Sequence, residues 1–183
     1  MRVDNIKKII LFNNEKKLLI QHCLRKLNEF YEPSETREKK AYGLLGGKVE
    51  NNFLYINYIK PLRVNFRSQY GYKQYMDDIL NKYAEASETP LSKRGWVASP
   101  DELESTFTEC DKKNIELVGN YHMHRVAWKH DLTRELPTKL DYVLAKDSGF
   151  ITFIISAVDL KNLIIRAFFE GDSDKEIDIQ IEE

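Results

Sequence analysis

The chain has 183 residues, of which 42% are hydrophobic and 31% charged, with a formal net charge of −1. That balance belongs to a globular chain long enough for one domain with a sizeable core, and it removes the electrostatic case for a nucleic-acid partner. No apolar run approaches the ~20 residues a membrane span needs, and Met1-Arg2-Val3-Asp4-Asn5 lacks a signal-peptide core, so a cytoplasmic protein without a membrane partner is expected.

In chain order, Ile6 to Phe12 reads as an edge strand, and Asn13-Asn14 offers a cap for a helix over 15–31. Leu19, Cys23, Leu27 and Phe30 recur at helical spacing as its buried stripe, and Pro33-Ser34-Glu35 ends it. Tyr42 to Val49 and Phe53 to Ile59 form a hairpin around Glu50-Asn51-Asn52, and the near-continuous apolarity of 41–47 predicts a strand covered on both faces. A helix follows over 72–84, then a polar, Gly/Pro-marked loop to Gly95. Ser99, Pro100 and Glu102 read as a capping box opening a helix whose buried face is Leu103, Phe107 and Cys110, closed by Asn114.

The run Ile115 to Asn120 reads as a strand ending in Tyr121-His122-Met123-His124. Residues i and i+2 of a strand share a face about 6.6 Å apart, so His122 and His124 can meet one ion while Met123 points the other way. Thr138 to Ala145 reads as a short helix, with Thr138 and Asp141 in capping-box spacing, and a carboxylate arriving there would supply a third ligand. Phe150 to Ala157 and Leu163 to Phe169 form a terminal hairpin, and the alternation of Ile177, Ile179 and Ile181 suggests a last edge strand. Cys23 and Cys110 have no ligand-like spacing and read as buried hydrophobes. His130, beside Trp128 and Lys129 in the loop after His124, is either a supplementary ligand or an exposed side chain, and His22 has no constellation around it in sequence. The fold class expected is α/β (α+β), a single domain over 1–183. It has a central mixed sheet, with the first helix on one side and the Ser99 helix on the other.

Ser99 to Leu103, Lys113 to His124 and Ala41-Tyr42-Gly43-Leu44-Leu45-Gly46-Gly47 together resemble the centre and first core strand of the JAB/JAMM (MPN-type) metallopeptidase domain, over roughly residues 6 to 170. The resemblance implies a cytidine-deaminase-like, MPN-type architecture, Zn²⁺ held by His122, His124 and Asp141, and a transition-state hydroxyl at Thr138. It also implies a protein or peptide substrate, a ubiquitin-like one included, and makes 61–98 a family-variable insertion that shapes access. Within it Tyr70, Tyr72, Tyr75 and Trp96 either face a partner or pack the insertion onto the domain.

The chain departs from that pattern at four places. Met123 stands between the histidines, Arg125 follows them, the loop to Asp141 is longer by about half a dozen residues, and Lys40 occupies the position of the general-base glutamate. Glu38, two residues earlier, is the nearest substitute, and Glu135 is a second. Three functions follow: a zinc hydrolase with a relocated base, an MPN-like scaffold without turnover, or a domain in which both motifs are coincidental.

Overall fold

The structure, a computed structural model, describes residues 5–183; residues 1–4, which carry most of the argument about a signal peptide, lie outside the described residues. Eight strands form one sheet: β1 (Lys8–Phe12), β2 (Tyr42–Glu50), β3 (Phe53–Pro61), β4 (Glu116–His124), β5 (Ile151–Ser156), β6 (Ile164–Phe169), β7 (Glu176–Ile177) and β8 (Ile179–Glu182). Four α-helices accompany them: α1 (Asn13–Leu27), α2 (Tyr72–Tyr83), α3 (Pro100–Lys113) and α4 (Lys139–Ala145).

The strand order is β7-β6-β5-β4-β2-β3-β1-β8, with parallel and antiparallel pairs mixed. β7 and β8 lie at opposite edges yet are separated in sequence by Asp178 alone, so the sheet must curl until its edges nearly meet. The Asp178 carbonyl accepts from Ile9 N at 2.9 Å at this closure. Two expectations are corrected here. The isoleucine alternation at the C-terminus serves both edges instead of adding one strand, and β1 is paired on both sides, by β3 and β8. Pairing on both sides satisfies the β1 backbone groups that an edge position would leave exposed.

Leu19 and Cys23 of α1 pack into the sheet's apolar interior with Ile9, Leu45, Leu54 and Phe153. A bulge at Asn57 leaves that residue without a partner on β2, which places Leu54, Ile56 and Ile59 in the same core although their spacing breaks strict alternation. Tyr58 and Lys60 face the other way and both bond the Glu109 carboxylate of α3, Lys60 at 2.7 Å. The two helices therefore take opposite faces, as expected. The hairpin turn is also as read, with Asn51 and Asn52 at φ 52° and 65°, the pair of positive angles a two-residue type I′ turn requires.

Helix ends differ from the sequence reading. α1 begins at Asn13 without a side-chain cap and stops at Leu27, because Glu29 turns left-handed (φ 61°) and Phe30 N closes back on the Arg25 carbonyl at 3.1 Å. Phe30 is consequently 70% exposed instead of belonging to the buried stripe. α3 has Ser99 at its N-cap, but no side-chain bond forms there. The Glu102 carboxylate instead accepts from the Arg63 and Val64 amides, both at 2.9 Å, and ties the helix to the strand exit. Phe107 faces solvent, and Thr106 takes the buried position beside Cys110.

His22 is buried on α1, with Nδ1 2.8 Å from the Tyr121 hydroxyl, and the Tyr121 ring lies against Gly43, where a Cβ would come within 2.4 Å of it. Burial, with Arg25 and Lys26 adding to it, brings the His22 pKa down to about 4. The folded state thus keeps the imidazole neutral while the unfolded chain takes up a proton below ~6.5. Stability is expected to be full above pH ~6.5 and to fall by up to ~3 kcal/mol as pH drops towards 4. Urea midpoints measured across this window should show the loss in the wild type and a flatter profile in His22→Gln.

Candidate metal centre

The bulge at Val118 in β4 and the alternation beyond it send Tyr121 and Met123 into the core and His122 and His124 to the opposite face. Their Nε2 atoms lie 3.1 Å apart. Asp141, in the first turn of α4, places Oδ1 3.1 Å from His122 Nε2 and Oδ2 3.6 Å from His124 Nε2. An ion held tetrahedrally at ~2.0–2.1 Å from each ligand requires ligand spacings of ~3.3 Å, and these three distances bracket that value.

The hydrogen-bond network sets the donor chemistry. His124 Nδ1 lies 3.1 Å from the Arg134 carbonyl, which can only accept, so that nitrogen carries the proton and Nε2 presents its lone pair to the cluster. Burial, opposed by the Asp141 carboxylate, pushes His124 towards its neutral form. Burial alone would raise the Asp141 pKa, but the charges and hydrogen bonds of His122 and His124 outweigh it and hold the carboxyl well below its usual range. Two imidazole nitrogens and one carboxylate oxygen facing one point form a donor set that fits a borderline divalent metal such as zinc.

The capping box read from sequence at Thr138 and Asp141 forms, and the same carboxylate also faces the histidines. Asp141 Oδ2 accepts from Thr138 N at 2.6 Å and from Thr138 Oγ1 at 2.7 Å, completing the capping box, while Oδ1 faces His122. Helix capping is thus what aims the carboxylate. Thr138 holds Asp141 in place, and its hydroxyl proton is committed to that carboxylate.

Around the cluster lies a cavity of about 260 Å³ whose wall includes Lys40, Tyr42, Glu85, Trp96, Arg125 and Leu144. Tyr42 stacks on His122 with rings 12° from parallel at 6.1 Å, and Trp96 stacks on Tyr42 at 2° and 5.8 Å. Trp96 therefore packs the insertion against the site, whereas Tyr70, Tyr72 and Tyr75 remain exposed.

Lys40, three residues before Gly43 of β2, reaches the cavity wall, and its Nζ donates to the Gly95 carbonyl at 3.1 Å and pairs with Glu38 at 3.0 Å. Glu38 is occupied by Lys40 and Asn65 and lines an adjoining depression, not the cavity over the histidines. Glu135 lies 3.6 Å from Arg166. The acid on the cavity wall besides Asp141 is Glu85, which follows α2 and lies 2.9 Å from His130 Nε2. Among the described residues His130 is not part of the three-residue cluster. The sequence carried no signal for Glu85, nor for the Arg134 carbonyl, which is placed by the Arg134 guanidinium packing 3.4 Å over Trp128.

No family model matches the chain, and no curated protein does. Among solved structures, the solution structure of a protein from Desulfitobacterium hafniense superposes with a TM-score of 0.62 at 19% identity, covering 96% of this chain and 94% of that one. A Salinibacter ruber protein gives 0.47 at 17% identity, over 90% and 86%. The first likeness is one of fold: a mixed α+β domain. Among the described residues no helix is long and apolar enough to cross a membrane.

Proposed function

We propose that this chain is a zinc-dependent metallopeptidase or isopeptidase of the JAB/JAMM (MPN) type, acting on a peptide or isopeptide bond of a protein substrate, with ubiquitin-like proteins as the candidate class. The observation that carries this reading is the convergence of His122, His124 and Asp141 within 4.8 Å, at spacings suited to one tetrahedral ion. When bound, zinc supplies Lewis-acid polarisation of a carbonyl and lowers the pKa of water to ~7.

The chain's own residues divide the remaining work. Thr138 and the Arg134 carbonyl hold Asp141 and His124 in register, and the stacked Tyr42 and Trp96 fix the His122 ring. Trp96 Nε1 and Thr152 Oγ1 are buried on the cavity wall without a partner among the described residues, ready to meet polar atoms of a substrate. We assign proton transfer to Glu85 in place of Glu38, since Glu85 shares the cavity with the cluster and His130 orients its carboxylate.

One observation favours a second reading. A lysine on the cavity wall at the family's glutamate position suits a scaffold that keeps its metal but has lost turnover. Cleavage of a peptide-extended ubiquitin-like substrate by metal-loaded protein decides between the two. With activity present, Glu85→Gln is expected to lower kcat by about 10²-fold with zinc retained, and Glu38→Gln to leave it near wild type. A wild type that binds zinc stoichiometrically yet is inert, with Lys40→Glu equally inert, would establish the scaffold.

A further inference from the structure

The cavity over the histidines adjoins a second depression of about 580 Å³, and the two share Lys40, Lys93 and Arg125 in their walls. Five cations line this second depression, the other two being Arg37 and Lys39, against the carboxylates of Glu38 and Glu88. Internal pairing cancels only part of that charge. Lys40 pairs with Glu38, and Lys39 pairs with Glu29 at 3.1 Å. The side chains of Arg37, Lys93 and Arg125 make no hydrogen bond or ion pair among the described residues, and all three are exposed. In a chain whose net charge is −1, such a concentration of free cations beside one site is local and not a by-product of overall basicity.

We propose that this basic depression binds an acidic segment of the polypeptide whose bond is presented at the metal centre, with Lys93 and Arg125 as its main charge contacts. The inference rests on the hydrolase reading for the direction in which the substrate runs, but binding can be measured without turnover. A peptide with a carbonyl over the histidines continues past Lys40 into the depression, where its carboxylates meet the guanidinium and ammonium groups of Arg125 and Lys93, which have no other partner among the described residues. Lys40, already held by Gly95 O and Glu38, stands at the junction of the two spaces. A lysine there adds an attractive charge to the path of an acidic chain.

The test uses the full chain, zinc-loaded, and fluorescence anisotropy with a short labelled peptide rich in Asp and Glu, its Lys/Arg-rich counterpart, and a single-stranded oligonucleotide of matching charge. The acidic peptide is expected to bind more tightly than either, and to weaken as salt rises. Lys93→Glu combined with Arg125→Glu is expected to weaken it about tenfold or more, with zinc content and unfolding midpoint unchanged, while Lys93→Arg with Arg125→Lys retains it. Equal binding of both peptides, insensitivity to the charge reversal, or tighter binding of the oligonucleotide would overturn the inference. Acidic-peptide binding by a chain that holds no zinc or cleaves nothing would overturn only the hydrolase reading. Cleavage indifferent to acidic flanks would overturn only this inference.

Discussion

Asp141→Ala is expected to reduce zinc affinity on the order of 10³-fold or more and to abolish any hydrolysis. The carboxylate is the one anion in the cluster, and without it two imidazoles remain on a strand with nothing opposite them. Thr138→Ala should act more weakly, by ~10–100-fold in affinity, because it releases the carboxylate without deleting it. Elemental analysis of tag-free protein and zinc-dependent unfolding measure both. At a free zinc concentration about a hundred times its Kd the wild type should gain ~2.7 kcal/mol, and Asp141→Ala should gain nothing. Chelation should leave the fold standing, since the apolar interior built on Leu19, Leu45, Tyr121 and Phe153 does not pass through the site. Equal zinc binding by wild type and Asp141→Ala would mean that the cluster is not a metal site.

Glu35→Gln is expected to cost about 3–5 kcal/mol of folding stability. The Glu35 side chain has no exposed surface, and it receives Arg25 Nη1 at 2.5 Å, Arg25 Nη2 at 2.9 Å, Lys26 Nζ at 3.1 Å and the Glu32 amide at 2.9 Å. Burial would raise its pKa, but those hydrogen bonds outweigh burial and bring it to about 2. Removing the charge leaves the wholly buried Lys26 ammonium without a counter-ion, held by the Thr36 carbonyl at 3.0 Å and the Tyr31 ring at 4.9 Å. Because the folded pKa lies below the unfolded one, this stabilisation is complete above pH ~4.5 and is lost as pH falls towards 2, a window below that of His22. Urea unfolding at neutral pH measures the first effect, and its pH profile the second. A midpoint within experimental error of wild type would show that the pair's desolvation cost cancels its attraction.

The cluster of His122, His124 and Asp141 was legible because each of its parts obeys a local rule. Alternation in β4 puts His122 and His124 on one face, and a three-residue capping spacing carries Asp141. Neither rule specifies that the two meet, since the loop between them is long and its path depends on Arg134 packing over Trp128. The proposed base illustrates the opposite case. Glu38 looked promising for its nearness in sequence to Lys40, yet Lys40 and Asn65 hold it away from the cavity over the histidines. Glu85, far from the motif, lies on the cavity wall because the insertion folds over the site through Trp96 and Tyr42. The capping box expected at Ser99 failed for a similar reason, since the backbone amides of Arg63 and Val64, distant in the chain, take both carboxylate oxygens of Glu102.

By itself the sequence determined most of the elements and some of their faces: the Asn51-Asn52 hairpin, the apolar β2, the helix that carries Cys23 inward, and the placing of two histidines on one side of β4. These follow from backbone dihedral preferences and from periodicity, which act within a few residues. Only the tertiary structure decided that the C-terminal isoleucines close the sheet from both edges, that Asp141 completes the cluster, and that Glu85 and the cations of the adjoining depression surround it. Those outcomes depend on contacts between segments distant in the chain. There, the satisfaction of buried polar groups and the sheet's curl outweigh any local preference.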